Sequence, residues 1–207
     1  MGRRRSRWVG RTGPAHCAPD PCGHRPKVPR LLWALPIGMR SALSGLAVLA
    51  ACTPALNWRD VRPDGWGLVA VMPCRPDRHE RPVPLAGPPV ALALWVCSAD
   101  GHTFALASAD LSDPARVSPA LRALAQAAQA NVQGRIESEQ PAAVPGMTPQ
   151  AAAVRWRLAG QLPDGQPVRE QVLVFASGLR VYQATVVGPV AGEAQTGPFF
   201  EAIALPR

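Results

Sequence analysis

A short apolar run, Leu43 to Ala51, ends at Cys52 and divides the chain into two parts of very different charge. Residues 1–51 carry nine basic side chains and one acidic one, which accounts for the whole formal excess of +8, and the remainder has thirteen of each sign. The run has about nine residues, whereas a membrane-spanning helix needs about 20. A folded domain must therefore form after Cys52, from a segment without net charge.

The same division bears on possible ligands. A net charge of +8 would by itself suggest binding to nucleic acid. After Cys52, however, the sequence has no basic stripe with interleaved aromatic side chains, which nucleic-acid-binding surfaces use. We therefore predict no nucleic-acid partner for the domain, and nothing in its motifs indicates a cofactor.

The residues at the boundary, Leu49-Ala50-Ala51-Cys52, resemble a bacterial lipobox. The resemblance implies that everything before Cys52 is removed, that the thiol carries a diacylglycerol and that the exposed amino group carries a further acyl chain. Several acyl chains anchor a protein durably, so the expected product is a lipoprotein that is attached to the membrane without spanning it. The alternative is a short buried helix that ends in an ordinary cysteine.

The leader allows two interpretations. Met39 directly precedes the apolar run, so residues 39–51 would form a signal peptide and residues 1–38, rich in Arg, Pro and Gly, a disordered or non-native basic extension. Alternatively, translation starts at Met1 and the signal is long. Thr53 stands where aspartate would favour retention in the inner membrane, so resemblance to that sorting rule predicts the periplasmic face of the outer membrane.

Residues 52–65 are predicted to be the lipidated cysteine and a tether, and residues 66–207 a single globular domain. A chain of about 140 residues can bury roughly two thirds of its unfolded surface, which is enough for a core. Alternating apolar residues predict a strand up to Met72, a hairpin from Arg81–Leu85 and Val90–Cys97 around Ala86–Pro89, and a strand from His102 to Ser108. Pro82 and Pro84 restrict the first arm of the hairpin to a sheet edge.

The second half of the domain's sequence predicts one long helix followed by an antiparallel meander. Ser118 and Pro119 are typical of a helix start, and Gly134 of a helix end. An apolar stripe at helical spacing should face a sheet: Leu121, Leu124, Ala125, Ala128 and Val132. Alternation then predicts strands around Val154–Leu158, Val168–Ala176 and Leu179–Val187, and a short helix at Pro198–Ala204 should dock on the sheet as a lid. The fold class is therefore α+β.

This order of elements resembles the PsbP-like α/β/α fold, a family that includes Ran-binding Mog proteins and bacterial envelope lipoproteins. The resemblance covers about Trp66 to Leu205. It is carried by three segments: Val71-Met72-Pro73-Cys74-Arg75-Pro76, Leu179-Arg180-Val181-Tyr182 and Phe199-Phe200-Glu201-Ala202-Ile203-Ala204-Leu205. It implies a sheet between helical layers and transfers no functional residue.

Two cysteines remain in the domain, and three outcomes are open for them. In the predicted hairpin Cys97 lies opposite Arg78, four residues from Cys74, so a disulfide is within reach and would be expected in an oxidising envelope compartment. The alternative is a metal site, because Cys74 with His79 and Cys97 with His102 form two Cys-x4-His pairs that could bind zinc. Free thiols are the third possibility.

The catalytic inventory after Cys52 is small, with no lysine, one tyrosine and two histidines. No nucleophile elbow, zinc-protease helix or phosphate-binding glycine loop is present, and Asp110 and Asp113 are expected to serve turns and helix capping. We predict a non-enzymatic envelope lipoprotein whose domain binds or supports another envelope component. The alternative is a small periplasmic hydrolase, or a thiol- or metal-dependent factor, with a site around Cys74, His79, Cys97 and His102.

Overall fold

A computed structural model describes residues 56–189 and 193–206 of the chain. The lipobox, Cys52 and the leader lie outside these residues. The described elements are, in chain order, β1 (Arg59–Val61), β2 (Ala70–Met72), β3 (Asp77–Pro84), β4 (Pro89–Ala99), β5 (His102–Asp110), a 3₁₀ turn (Pro114–Arg116), α1 (Val117–Asn131), β6 (Arg135–Pro141), β7 (Val154–Gln161), β8 (Pro167–Ser177), β9 (Arg180–Gly188) and α2 (Glu193–Glu201).

Seven of the strands form one antiparallel sheet in the order β3-β4-β5-β9-β8-β7-β6, and β1 pairs with β2 separately. Most neighbours are consecutive hairpins, as the alternation predicted, but β9 returns to the centre of the sheet between β5 and β8. The α+β class, the antiparallel meander and the long helix are confirmed. The edge position of the proline-containing strand β3 is confirmed as well.

Helix α1 covers one face of the sheet, which we call the α1 face. It contacts β7, β8 and β9. All five residues of the predicted apolar stripe are buried. Their partners on the sheet include Val172 and Val174, which are also almost fully buried, so this half of the core is sealed by apolar packing.

The N-terminal strap, residues 56–73, and α2 cover the opposite face, which we call the strap face. The ring of Trp58 lies 6.2 Å from that of Phe104, and the ring of Trp66 lies 6.1 Å from that of Trp95. Phe199 of α2 contacts Phe104 at 5.5 Å, which confirms that the C-terminal helix docks on the sheet. The sheet therefore has a covering layer on each face.

The start of the long helix was predicted too late. The helical segment begins at the 3₁₀ turn, where the Asp113 side chain accepts a hydrogen bond from the amide of Ala115 (2.8 Å) and Pro114 occupies the first turn. Ser118 does not cap the helix, since its hydroxyl donates to Gln150 Oε1 (2.9 Å). The Asp-Pro pair five residues upstream therefore starts the helical segment, and the similar Ser-Pro pair does not.

Two further elements differ from the prediction. Helix α2 begins at Glu193 and includes Pro198, whereas the sequence placed its start at that proline. Thr196 of the added turn is fully buried and accepts a hydrogen bond from the amide of Gln171 (2.9 Å), which accounts for the longer helix. The segment predicted to be a tether contains β1, which pairs with β2. No helix of the described residues is long and apolar enough to cross a bilayer.

Candidate functional site

Cys74 and Cys97 form a disulfide, with Cα atoms 6.0 Å apart. The predicted pairing is thus present, although the register behind it was wrong by two residues, since Arg78 lies opposite Trp95 and not opposite Cys97. The turn is displaced by one residue because Ala86 and Gly87 adopt positive φ angles. A shift of two residues keeps each side chain on its face of the sheet, so the two cysteines still meet.

The displaced hairpin turn is held by Arg116, from the 3₁₀ turn before α1. Its guanidinium donates to the carbonyl oxygens of Leu85 (2.9 Å), Ala86 (3.1 Å) and Pro88 (2.8 Å). Sequence reasoning missed this contact because the partners are separated by 28 to 31 residues. The bonds fix the tip of the β3–β4 hairpin against the start of the helix.

The structure does not bring His79 and His102 together with the cysteines. His79 lies opposite Leu94, and His102 lies opposite Ala99. These two partners are five residues apart on β4, which corresponds to roughly 17 Å and to opposite faces of the sheet. The two cysteine sulfur atoms are bonded to each other. The described residues contain no group of three His, Cys, Asp or Glu side chains placed to hold a metal ion.

His102 is a buried residue at the end of the sheet. Its Nδ1 donates to the carbonyl oxygen of Asp100 (2.8 Å), and only 4% of the residue is exposed. The ring lies against the backbone of Gly188, where a Cβ would come within 2.1 Å of the imidazole. Gly188 is therefore required for this packing, and His102 serves to pack the end of the sheet.

A cleft of about 280 Å³ opens on the strap face, between the strap and strands β3, β4 and β5. We call it the strap cleft. Its charged and polar lining consists of Asp64, Trp66, Glu80, Ser108, Asp110 and Arg180. Three carboxylates and one guanidinium give this lining a formal charge of −2. The sequence analysis assigned none of these residues to a site.

The floor of the strap cleft is made of small side chains. Ala93 lies between Glu80 on β3 and Ser108 on β5, in one row across the sheet. Ala91, two residues along β4, also lines the cleft. Alternate strands of the sheet are roughly 10 Å apart, so the alanines leave a depression between taller neighbours.

Ser108 lies in this floor and is 4% exposed. Its Oγ is buried and has no hydrogen-bond partner among the described residues. A buried polar group without a partner destabilises the folded state by about 1–3 kcal/mol. The hydroxyl is therefore a group for which a ligand could supply the missing bond.

One wall of the cleft is fixed by Arg180. Its Nε donates to Asp110 Oδ1 (2.6 Å), Nη2 donates to the second carboxylate oxygen, and Nη1 donates to the carbonyl oxygen of Gly65 in the strap. This guanidinium lowers the pKa of Asp110, mainly through the hydrogen bond. The sequence analysis expected Asp110 to serve turns or capping, and that is wrong for Asp110, whereas Asp113 does cap a helical turn.

Tyr182 holds the strap beside this ion pair. Its hydroxyl donates to the carbonyl oxygen of Trp66 (2.5 Å), and its ring stacks on Phe175 with centroids 4.9 Å apart. Burial is the main cause that raises the pKa of the phenol, so it stays protonated and donates at neutral pH. Arg180 and Tyr182 together place the strap over the cleft.

Three larger recesses have less convergent chemistry, and the third of them, about 520 Å³, is lined mainly by apolar residues between Pro141 and Ala153. The first, about 710 Å³, lies beside Arg62, Arg75 and Arg78, but these exposed cations alternate with Asp60 and Asp77, and Arg78 already stacks on Trp95 at 4.2 Å. The second, about 310 Å³, lies between α1 and the β6–β7 edge, with Arg122 and Glu139 in its lining. We therefore take the strap cleft as the candidate site.

The α1 face holds a different buried polar group. Glu170 on β8 is 2% exposed, and one of its carboxylate oxygens is buried without a partner among the described residues. It lies opposite Leu158 on one side and Val187 on the other. Burial raises its pKa to about 8, so the carboxyl group is mostly protonated at neutral pH.

Comparisons with known proteins add no functional assignment. No protein-family model matches the chain. A search of curated proteins also finds no match. Inferences about function therefore depend on the residues described above.

Proposed function

We propose that this chain is a lipid-anchored envelope protein whose domain binds another envelope component without catalysing a reaction. The observation that carries the proposal is the Cys74–Cys97 disulfide, which lies in the domain that follows the lipobox-like sequence ending at Cys52. Disulfides persist in oxidising compartments such as the bacterial periplasm and are rare in the cytosol. The disulfide therefore supports export of the domain to such a compartment.

The order of elements supports the anchoring half of the proposal. The described strand β1 begins at Arg59, seven residues after Cys52. A domain that starts so soon after an acylated residue would be held close to the membrane surface. Because Thr53, and not aspartate, follows Cys52, we propose that the protein lies on the periplasmic face of the outer membrane. We also propose a PsbP-like fold, because a layer covers each face of the sheet.

The binding half of the proposal is supported by the strap cleft. It combines a small-residue floor, a buried hydroxyl without a partner and an excess of negative charge. Clefts with a few convergent polar groups are the default location of ligand sites. A catalytic alternative around Cys74, His79, Cys97 and His102 has no comparable support, because the histidines are far apart and the cysteines are joined.

The test is the intact mass of protein extracted from membranes, measured with and without reductant. We expect a chain that begins at an acylated Cys52 and gains about two mass units on reduction, as one disulfide requires. A Cys52→Ala variant should lack the acyl mass and leave the membrane fraction. An unprocessed chain that starts at Met1 or Met39 would contradict the lipoprotein assignment.

A further inference from the structure

We propose that the strap cleft binds a primary ammonium group carried by a ligand from outside this chain, held between Glu80, Asp64 and the hydroxyl of Ser108 over the Ala91–Ala93 floor. This inference rests on the binding role proposed above; the cation site itself does not depend on the lipid anchor, whereas the external source of its ligand depends on removal of the leader. Three independent features of the cleft lead to it, namely its charge, its hydroxyl and its size.

The charge of the cleft favours a cation. Asp110 is neutralised by Arg180, whereas Asp64 and Glu80 take part in no hydrogen bond or ion pair within residues 56–189 and 193–206. Two unpaired carboxylates that face one small cleft attract a positive group and repel an anion. A bare metal ion fits less well, because no three candidate ligands of the described residues lie close enough to coordinate one.

The hydroxyl distinguishes an ammonium group from other cations. An ammonium group carries three N–H donors, so it can bond both carboxylates and still donate to Ser108 Oγ. A quaternary ammonium group has no N–H to donate, and it would leave the buried hydroxyl without its bond. Ser108 lines the cleft, in the same row across the sheet as Ala93 and Glu80.

Size and the aromatic wall agree with this assignment. A volume of about 280 Å³ is just below the range of roughly 300–1,000 Å³ for drug-sized ligands, so the cleft suits a small one. It suits an alkylammonium chain, and the chain's methylene groups would lie on Ala91 and Ala93. Trp66 also lines the cleft, and an aromatic ring can stabilise a cation bound beside it.

The ligand must come from outside the chain. The only lysine of the sequence, Lys27, lies in the leader, and all thirteen basic residues after Cys52 are arginines. A second copy of the processed domain therefore has no lysine side chain to offer. The ammonium group belongs either to a free amine or to a lysine of another protein.

The test is calorimetric titration of the full-length chain with pentylamine and, as a neutral control of equal length, pentanol. We expect pentylamine to bind about tenfold more tightly, the difference that one or two charge-assisted hydrogen bonds provide. Glu80→Gln should weaken pentylamine binding about tenfold. Glu139→Gln, which makes the same change on the opposite edge strand, should leave it unchanged. Equal binding of the two probes, or equal effects of the two substitutions, would overturn the proposal.

Ser108→Ala separates a ligand contact from a structural role. Removing a buried hydroxyl that has no partner should raise Tm by about 3 °C, and removing an acceptor for the ammonium group should weaken pentylamine binding about threefold. A variant that lowers Tm and leaves binding unchanged would show that Ser108 only supports the fold, and would overturn the inference.

A third probe, Nα-acetyl-lysinamide, identifies the source of the ammonium group. Binding at least as tight as that of pentylamine supports a lysine of a partner protein, and weaker binding supports a free amine; either result keeps the proposal. Failure of pentylamine binding with an acylated, oxidised chain in the membrane would overturn this inference alone. Pentylamine binding by a chain without acyl groups would overturn only the lipid anchor.

Discussion

Ser108 and Glu170 are both almost fully buried, and each has a polar atom without a partner among the described residues, but they lie in regions that are built differently. Glu170 lies on the α1 face among apolar neighbours, opposite Leu158 and Val187. Ser108 lies on the strap face in the floor of a cleft with three carboxylates and a guanidinium. The carboxyl group of Glu170 stays protonated among its apolar neighbours, whereas a ligand could supply the hydrogen bond that the hydroxyl of Ser108 lacks.

The difference follows from how each face is covered. Helix α1 packs a continuous apolar stripe on β8 and β9, and the recess beside it lies towards the β6–β7 edge of the sheet, away from Glu170 on β8. The strap contains only two three-residue strands, and it is held by Tyr182, Arg180 and the disulfide. A cover attached by a few polar bonds leaves an open cleft above Ala91 and Ala93.

The largest expected effect concerns Glu170. Its pKa is about 8 in the folded protein and near 4.5 in the unfolded chain, so its stabilising contribution is complete below pH 4.5 and is lost as the pH rises to 8. Across that window the free energy of unfolding should fall by up to about 5 kcal/mol. In Glu170→Gln, which imitates the protonated form, this loss should be absent. Urea unfolding at pH 5, 6, 7 and 8 measures both proteins.

The control for this prediction is Glu139→Gln, an exposed glutamate on β6 that receives the same substitution. Its pH dependence should match that of the unmodified protein, because other groups titrate equally in both. If the curves for Glu170→Gln and the unmodified protein run parallel from pH 5 to 8, the α1 face does not hold a protonated carboxyl group. Glu170 would then not differ from Ser108 in the way described above.

The second effect concerns the disulfide on the strap face. Cys74 follows β2, and Cys97 lies in the sheet, so the bond ties the strap to β4. Replacing both cysteines with alanine should lower the free energy of unfolding by about 3 kcal/mol, since the bond closes a loop of 23 residues in the unfolded chain. Urea unfolding measures the loss.

Limited trypsin digestion of the same double variant shows where the loss acts. Cleavage after Arg59 in the strap should accelerate, whereas cleavage after Arg122 on α1 should change much less. Equal acceleration at both positions would show that the two faces open together. The strap would then not be the more weakly held cover.

The fold was largely predictable because strands and helices have local periodic patterns. The stripe from Leu121 to Val132 identified α1, and alternation identified the strands of the meander. Errors occurred where two similar signals competed, as at Asp113-Pro114 and Ser118-Pro119, or where a distant contact decided the outcome, as at the turn held by Arg116. The disulfide was predicted despite the register error because Cys74 lies only three residues before β3, so the hairpin still brings Cys97 close to it.

The strap cleft was not predicted, since its parts are distant in sequence. Asp110 and Arg180 are 70 residues apart, and Gly65 and Arg180 are 115 apart. One local signal was available. In Ala91-Leu92-Ala93-Leu94 the leucines and alanines alternate, so one face of β4 carries only methyl groups over this stretch. Such a strand leaves space above it wherever taller residues stand on both neighbouring strands.

The smallest effect tests how the strap is held over that space. Tyr182→Phe removes the hydroxyl that donates to Trp66 and keeps the ring that stacks on Phe175, so the free energy of unfolding should fall by only about 1 kcal/mol. Pentylamine binding should weaken about twofold, because Trp66 and Asp64 are then placed less firmly. Urea unfolding and calorimetric titration measure the two effects on one variant. A loss of stability without any loss of binding would separate the strap from the cleft, and the carboxylate of Glu80 on β3 would then have to bind the cation without Asp64.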